Sequence, residues 1–148
     1  MRRTRHVLSV IALATLGALP ALAQSGIRLE NAWARRAPAA GGHGGGAANG
    51  AVYVTIRNEG GQADALVAAA SDAAHRVELH ETVHDAGVMR MRPLSRLDVG
   101  PGGAVEMKPG GRHVMLLGLT RDLKPGDTVT LTLTFDRAGQ MTVEAPVR

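Results

Sequence analysis

From Ile27 onward, apolar and polar residues alternate with a period of two. In "AVYVTIRN", Val52, Val54 and Ile56 share one face, and Tyr53 and Thr55 the other. "TVTLTLTF" repeats the pattern with Val129, Leu131, Leu133 and Phe135 set against threonines. "HRVELHETV" sets Val77 and Leu79 against Glu78 and His80, and "VMRMRPL" alternates Met89 and Met91 with Arg90 and Arg92. Successive side chains of an extended strand point to opposite faces, so each of these segments predicts a β-strand. "IRLENAWAR", "ALVAAAS", "AVEMKPGG", "RHVMLLGL" and "MTVEAPV" predict further strands. Trp33, the sole tryptophan, is expected as a core anchor in the first of these.

Gly- and Pro-rich turns separate the strands: "NEGGQAD", "HDAG", "VGPGG", "LKPGD" and "RAGQ". Pro125-Gly126 suits the central positions of a type II turn. No segment after the first two dozen residues sustains a helical period, and no internal repeat is present. Strands recurring about every 8–12 residues predict an all-β domain, a sandwich or a barrel. "APAAGGHGGGAANG", residues 37–50, has no periodicity and predicts a glycine-rich loop.

The first 23 residues follow different rules. Arg2, Arg3 and Arg5 precede an apolar run from Val7 to Leu19, and "ALA" follows before Gln24. A basic start, a short apolar stretch and an A-x-A site predict a cleavable signal peptide over residues 1–23. The run is short for a membrane span, and Pro20 interrupts it. The expected mature protein is a single domain over residues 24–148, exported to the periplasm. The net charge of +4 falls to +1 once the three leader arginines are set aside. That balance gives no reason to propose nucleic-acid binding. There is no cysteine, so neither a disulfide nor a thiolate is available and the only soft donors are thioethers.

Four residues carry candidate chemistry: His80, Met91, His113 and Met115. His113 and Met115 share a face of one predicted strand, and His80 and Met91 lie on two strands joined by a tight turn. Two imidazoles and two thioethers make a neutral, soft donor set, which selects Cu(I). Zinc favours thiolate or carboxylate beside histidine, and a blue-copper electron-transfer centre needs a cysteine. The competing reading is ordinary: methionine fills gaps in cores, and a lone histidine is usually structural. No serine lies in a nucleophile motif, and His80-Glu81 and His84-Asp85 are sequence neighbours that point to opposite faces. An enzyme is therefore not expected.

"VELHETVHDAGVMRMRPL" and "KPGGRHVMLLGL" resemble the PCuAC family of periplasmic copper chaperones. The family signature is a histidine, ten residues, a methionine, twenty-one residues, then H-x-M. Residues 81–90 and 92–112 give those gaps, so His80, Met91, His113 and Met115 match position by position. "NAWAR" and "LKPGDTVTLTLTF" are also similar to the family. The resemblance implies a cupredoxin-like, Greek-key β-sandwich and a Cu(I) site. It also implies delivery of copper towards the CuA centre of cytochrome c oxidase, to an oxidase subunit or a Sco-type protein. A monomer is expected, meeting the membrane only through its partner. The alternatives are an exported interaction module, or a copper storage or resistance protein without a delivery role. The glycine-rich loop departs from the family pattern in length. His43 within it is a candidate accessory site, with Cu(II) as one possible occupant. Met89, about 7 Å from Met91 along the same strand face, competes for the methionine position, and the family spacing selects Met91. His75 and His84 are expected as solvated histidines.

Overall fold

The computed structural model describes residues 26–39 and 48–148. The predicted signal peptide and His43 lie outside the described residues. Ten strands follow in chain order: β1 Ile27–Ala34, β2 Asn49–Asn58, β3 Asp64–Ala70, β4 Ala74–Asp85 and β5 Val88–Leu94. After these come β6 Leu97–Val99, β7 Ala104–Glu106, β8 Arg112–Leu119, β9 Thr128–Phe135 and β10 Gly139–Pro146. No helix occurs among the described residues. One sheet runs β1-β2-β8-β4-β5, with β7 also paired to β2, and the other runs β10-β9-β3-β6. Every strand pairing is antiparallel. The all-β expectation holds, and its sandwich form is the one adopted.

The alternation read from the sequence decides which faces meet. Val52, Val54, Ile56, Val114, Leu116 and Leu79 line the inner face of the larger sheet. Leu66, Val129, Leu131, Leu133 and Phe135 line the smaller one, and all join a single core. Burying each large aliphatic side chain contributes about 1.5–3 kcal/mol, so these facing rows drive closure of the sandwich. The two buried polar side chains at the sandwich end, Asp64 and Asn58, are paired. The Asp64 carboxylate accepts the Ala65, Arg137 and Ala138 amides at 2.7, 2.9 and 2.9 Å. Asn58 donates to the Gln62 and Val99 carbonyls.

Three features refine the sequence reading. The Lys124–Asp127 turn closes with the Asp127 amide donating to the Lys124 carbonyl at 2.9 Å, and Gly126 at φ 96° takes the left-handed position. The predicted glycine-rich loop is tied down at both ends: Ala37 exchanges backbone hydrogen bonds with Leu123 at 3.0 and 2.8 Å, and β2 begins at Asn49. Trp33 packs against the core from the outer face and is only half-buried, so it does not anchor the space between the sheets as expected. Asn31 at φ 52° forms a bulge, so three steps from Glu30 to Trp33 oppose two steps from Thr55 to Tyr53. One extra residue flips every later side chain to the other face. Trp33 therefore leaves the inner face and stacks on Tyr53 on the outer one, with ring centroids 4.5 Å apart.

Candidate metal centre

Strand register brings the four sequence-selected residues onto one surface, the outer face of the larger sheet. His80 in β4 stands directly opposite His113 in β8, with ring centroids 5.8 Å apart. Met115, two residues after His113, opposes Glu78 on one side and Ala51 on the other. Across the next ladder Met91 of β5 opposes Thr82, and Pro93 opposes His80. Met91 is thus the diagonal neighbour of His80, at a cross-strand distance that a long side chain can span. Met89 sits one pair further out, opposite His84.

The hydrogen bonds leave one nitrogen of each imidazole free. The Glu78 carboxylate lies 2.8 Å from His80 Nε2. A carboxylate can only accept, so this contact puts the proton on Nε2 and the lone pair on Nδ1. That Nδ1 is buried and has no hydrogen-bond partner. Such an orphan is unusual in a folded interior and marks a site that expects another atom. On His113, Nδ1 faces the Gly111 carbonyl at 3.2 Å, which places the lone pair on Nε2. Burial pushes the His113 imidazole below its ordinary range, partly offset by the Gly111 carbonyl, and His80 lowers it further. Both effects favour the neutral, metal-ready form. The bond from His80 pulls Glu78 below the usual carboxylate range.

Burial is graded across the site. His113 is 5% exposed, whereas Met91 is 61% and Met89 60% exposed. A cleft of about 470 Å³ opens above the face, lined in part by Tyr53, Met89, Met91, His113 and Met115. His80 is not among the residues that line it, and it reaches the site through its position opposite His113. Behind the site, on the opposite face, Glu81 pairs with Arg92 of β5 at 2.8 Å and Arg112 of β8 at 3.5 Å. The triad ties together the three strands that carry the four residues, and the Arg92 contact is the main reason the Glu81 carboxyl titrates low. Among the described residues no group of three His, Asp or Glu side chains is gathered for a metal.

Comparison with known proteins gives the same setting. The LpqE-like lipoprotein family model matches residues 27–147. The chain belongs to the LpqE-like family. That family is part of the PCuAC group. Among curated relatives of this LpqE-like chain is Lxx21020 of Leifsonia xyli subsp. xyli (strain CTCB07), whose name includes the word lipoprotein. It is 34% identical over 137 residues, covering 88% of this chain and 78% of the relative. Among solved structures, the copper-bound PCuAC domain from PmoF2 is 26% identical with a TM-score of 0.64, covering 85% of this chain and 95% of that one. The solution structure of CuI-DR1885 from Deinococcus radiodurans is 30% identical with a TM-score of 0.59, covering 90% of this chain and 81% of that one. The cupredoxin-like sandwich of the PCuAC domains is thereby shared.

Sequence reasoning on this LpqE-like chain did not single out Glu78, Tyr53, or Arg35 and Arg36, which also line the cleft. Glu78 had a signal, since "E-L-H" places it beside His80 on one strand face. Tyr53, only 4% exposed, packs with its ring centroid 6.4 Å from that of His113. Burial raises its phenol, and Arg35 acts in the opposite direction. Nothing in "AVYVTIRN" marks that outward-facing residue for burial, because its cover comes from Trp33 across the bulge. His75 and His84 are exposed, as expected of solvated histidines.

Proposed function

We propose that the protein is an exported copper carrier. It binds one Cu(I) through His80 Nδ1, His113 Nε2 and the sulfurs of Met91 and Met115, and passes the ion to a protein acceptor. The observation that carries this reading is the facing histidine pair, in which each ring has one nitrogen occupied and one free, on the same surface as two thioethers. The known copper-bound PCuAC neighbours support copper as the cargo, and the soft, neutral donors support the cuprous state.

The gradient of exposure suits delivery. The histidines form a floor, and Met91 forms an open wall from which an incoming ligand can approach. Thiolate binds Cu(I) better than thioether or imidazole does, so a dithiol acceptor entering over Met91 would draw the ion off. The end point we propose is the CuA centre of cytochrome c oxidase, reached directly or through a Sco-type protein. Export fits the family's lipoprotein name and the predicted signal peptide. The accessory role of His43 with Cu(II) remains a proposal for a residue outside the described segments.

A chelator-competed Cu(I) titration of the mature chain, with X-ray absorption on the loaded form, tests this reading. One equivalent bound with mixed nitrogen and sulfur ligation is expected. A copper shell without sulfur would sink it. Failure of a Cys-containing acceptor domain to remove the ion would turn the reading to storage instead.

A further inference from the structure

The cleft above the metal centre has an uneven charge. Its lining includes Arg35 and Arg36 and no aspartate or glutamate. All the acidic residues of the chain fall within the described segments. Among those residues, Arg35 and Arg36 form no ion pair, nor does Arg90 at the outer strand. Elsewhere most arginines are paired: Arg28, Arg57, Arg76, Arg92, Arg96, Arg112 and Arg121 each have a carboxylate within 4.0 Å, while Arg137 reaches only the Gln62 amide and Arg148 lies over the Trp33 ring. The glycine-rich segment 40–47 holds no acid that could neutralise the cleft.

The same place concentrates exposed apolar surface. Val88, Met89 and Met91, at 52, 60 and 61%, are the exposed large hydrophobic residues among the described ones, and all three lie on the free edge strand β5; Met89 and Met91 line the cleft, whereas Val88 faces the other side of the strand. Methionine and arginine are enriched at protein interfaces, and neither is needed here for packing. Met89 in particular is left without work by the four-ligand assignment.

We infer that the cleft receives an acidic segment of the copper-accepting protein, with Arg35 and Arg36 on its carboxylates and Met89 against its apolar side chains. This rests on the copper-carrier reading for the identity of the partner. Cu(I) in a neutral ligand set adds one positive charge to the cleft floor. The loaded protein therefore attracts an acidic segment more strongly than the empty one does. Transfer removes that charge and weakens the complex, which favours turnover. An anionic membrane fits less well, because the arginines line a concave cleft and a bilayer surface cannot follow it.

The test uses synthetic peptides of equal length that are acidic, neutral or basic, each made with paired cysteines or with serines in their place. The serine versions report docking alone, by calorimetry against the Cu(I)-loaded and copper-free chain. The acidic serine peptide should bind roughly tenfold more tightly than the neutral one at low salt, and lose that advantage as salt rises. Arg35→Gln with Arg36→Gln should abolish the preference. Arg57→Gln with Arg137→Gln, which lowers the net charge equally elsewhere, should keep it. Equal binding of the three peptides would overturn the inference, as would a preference that survives loss of Arg35 and Arg36. Binding to phosphatidylglycerol vesicles in place of the peptide would overturn it in favour of a membrane. If the chain takes no Cu(I) but still prefers the acidic peptide through Arg35 and Arg36, the docking surface stands and the copper reading fails.

Discussion

β9 and β5 carry equally clear alternation, yet they do opposite things. β9 buries Val129, Leu131, Leu133 and Phe135 at 2% exposure or less. β5 buries none of its seven residues fully, and both of its methionines are open. The difference lies in what covers each strand. β9 is central in its sheet, between β10 and β3, whereas β5 is a free edge. Alternation thus reports extended backbone and reserves a face, but burial of that face depends on a partner layer. A methionine row left without one on a stable sheet is available for binding.

The comparison breaks first if the two rows respond alike to truncation. Leu131→Ala should cost about 2–5 kcal/mol of stability, read by urea unfolding of the copper-free chain. Met91→Ala should cost less than about 0.5 kcal/mol in the same assay, as a surface change does. A large loss from Met91→Ala would mean that β5 is packed in solution and that its exposure is not a functional reserve.

Copper affinity sharpens the same contrast. Met91→Ala and Met115→Ala should each weaken Cu(I) far more than Met89→Ala, because the register puts Met91 one pair nearer His80. The ranking is read by competition with a Cu(I) chelator. A greater loss with Met89→Ala would transfer the ligand role to Met89. Glu78→Gln should weaken Cu(I) by roughly 10–100-fold, the usual effect of removing a partner that orients a metal-binding histidine. Its distinguishing readout is the imidazole nitrogen spectrum of the copper-free chain. Wild-type His80 should carry its proton on Nε2, and the Gln variant should show a mixture of tautomers. A single Nε2–H tautomer in Glu78→Gln would remove Glu78 from the site.

Much of this was readable before folding. The spacing of His80, Met91, His113 and Met115 names four residues that the register then sets on one face. The inward rows of β2, β8 and β9 follow from period two alone. What was not readable has local causes. Trp33 was misplaced because a bulge costs one residue and leaves no strong mark in "ENAW". The Glu78 contact needs a side-chain geometry that "VELHE" permits but does not compel. The charge of the cleft comes from Arg35 and Arg36, far in sequence from the methionines opposite them.

A pH titration probes the buried floor against the open wall. His113 has its imidazole pushed below the ordinary range by burial, so the unfolded chain takes up a proton at that residue first as pH falls. Stability from the neutral, buried ring is fully present above about 6.5, the ordinary histidine value. It is lost as pH falls from there towards the lowered value in the folded chain. The copper-free protein should therefore show a falling melting temperature as pH drops below about 6.5, and His113→Gln should flatten that dependence. Thioether does not titrate, so Met91→Ala should leave the slope unchanged. Equal slopes in wild type and His113→Gln would mean that the histidine is solvated.

The smallest expected effect lies at the turn that joins floor to wall. β4 and β5 are linked by Ala86 and Gly87 at φ 47° and 79°, both left-handed. Two such residues make a type I′ turn, whose twist matches that of the flanking strands. Glycine adopts this conformation freely, but alanine does so against a clash of its Cβ. Asparagine is the preferred residue at the first position. Ala86→Asn should therefore raise stability by about 0.5–1 kcal/mol while leaving Cu(I) affinity unchanged, since the turn lies beyond the His84–Met89 pair. Paired urea and chelator titrations read the two quantities separately. A gain in stability with a loss of copper would show that the hairpin tip sets the position of Met91, and the open wall would then owe its geometry to a strained turn and not to the ladder beneath it.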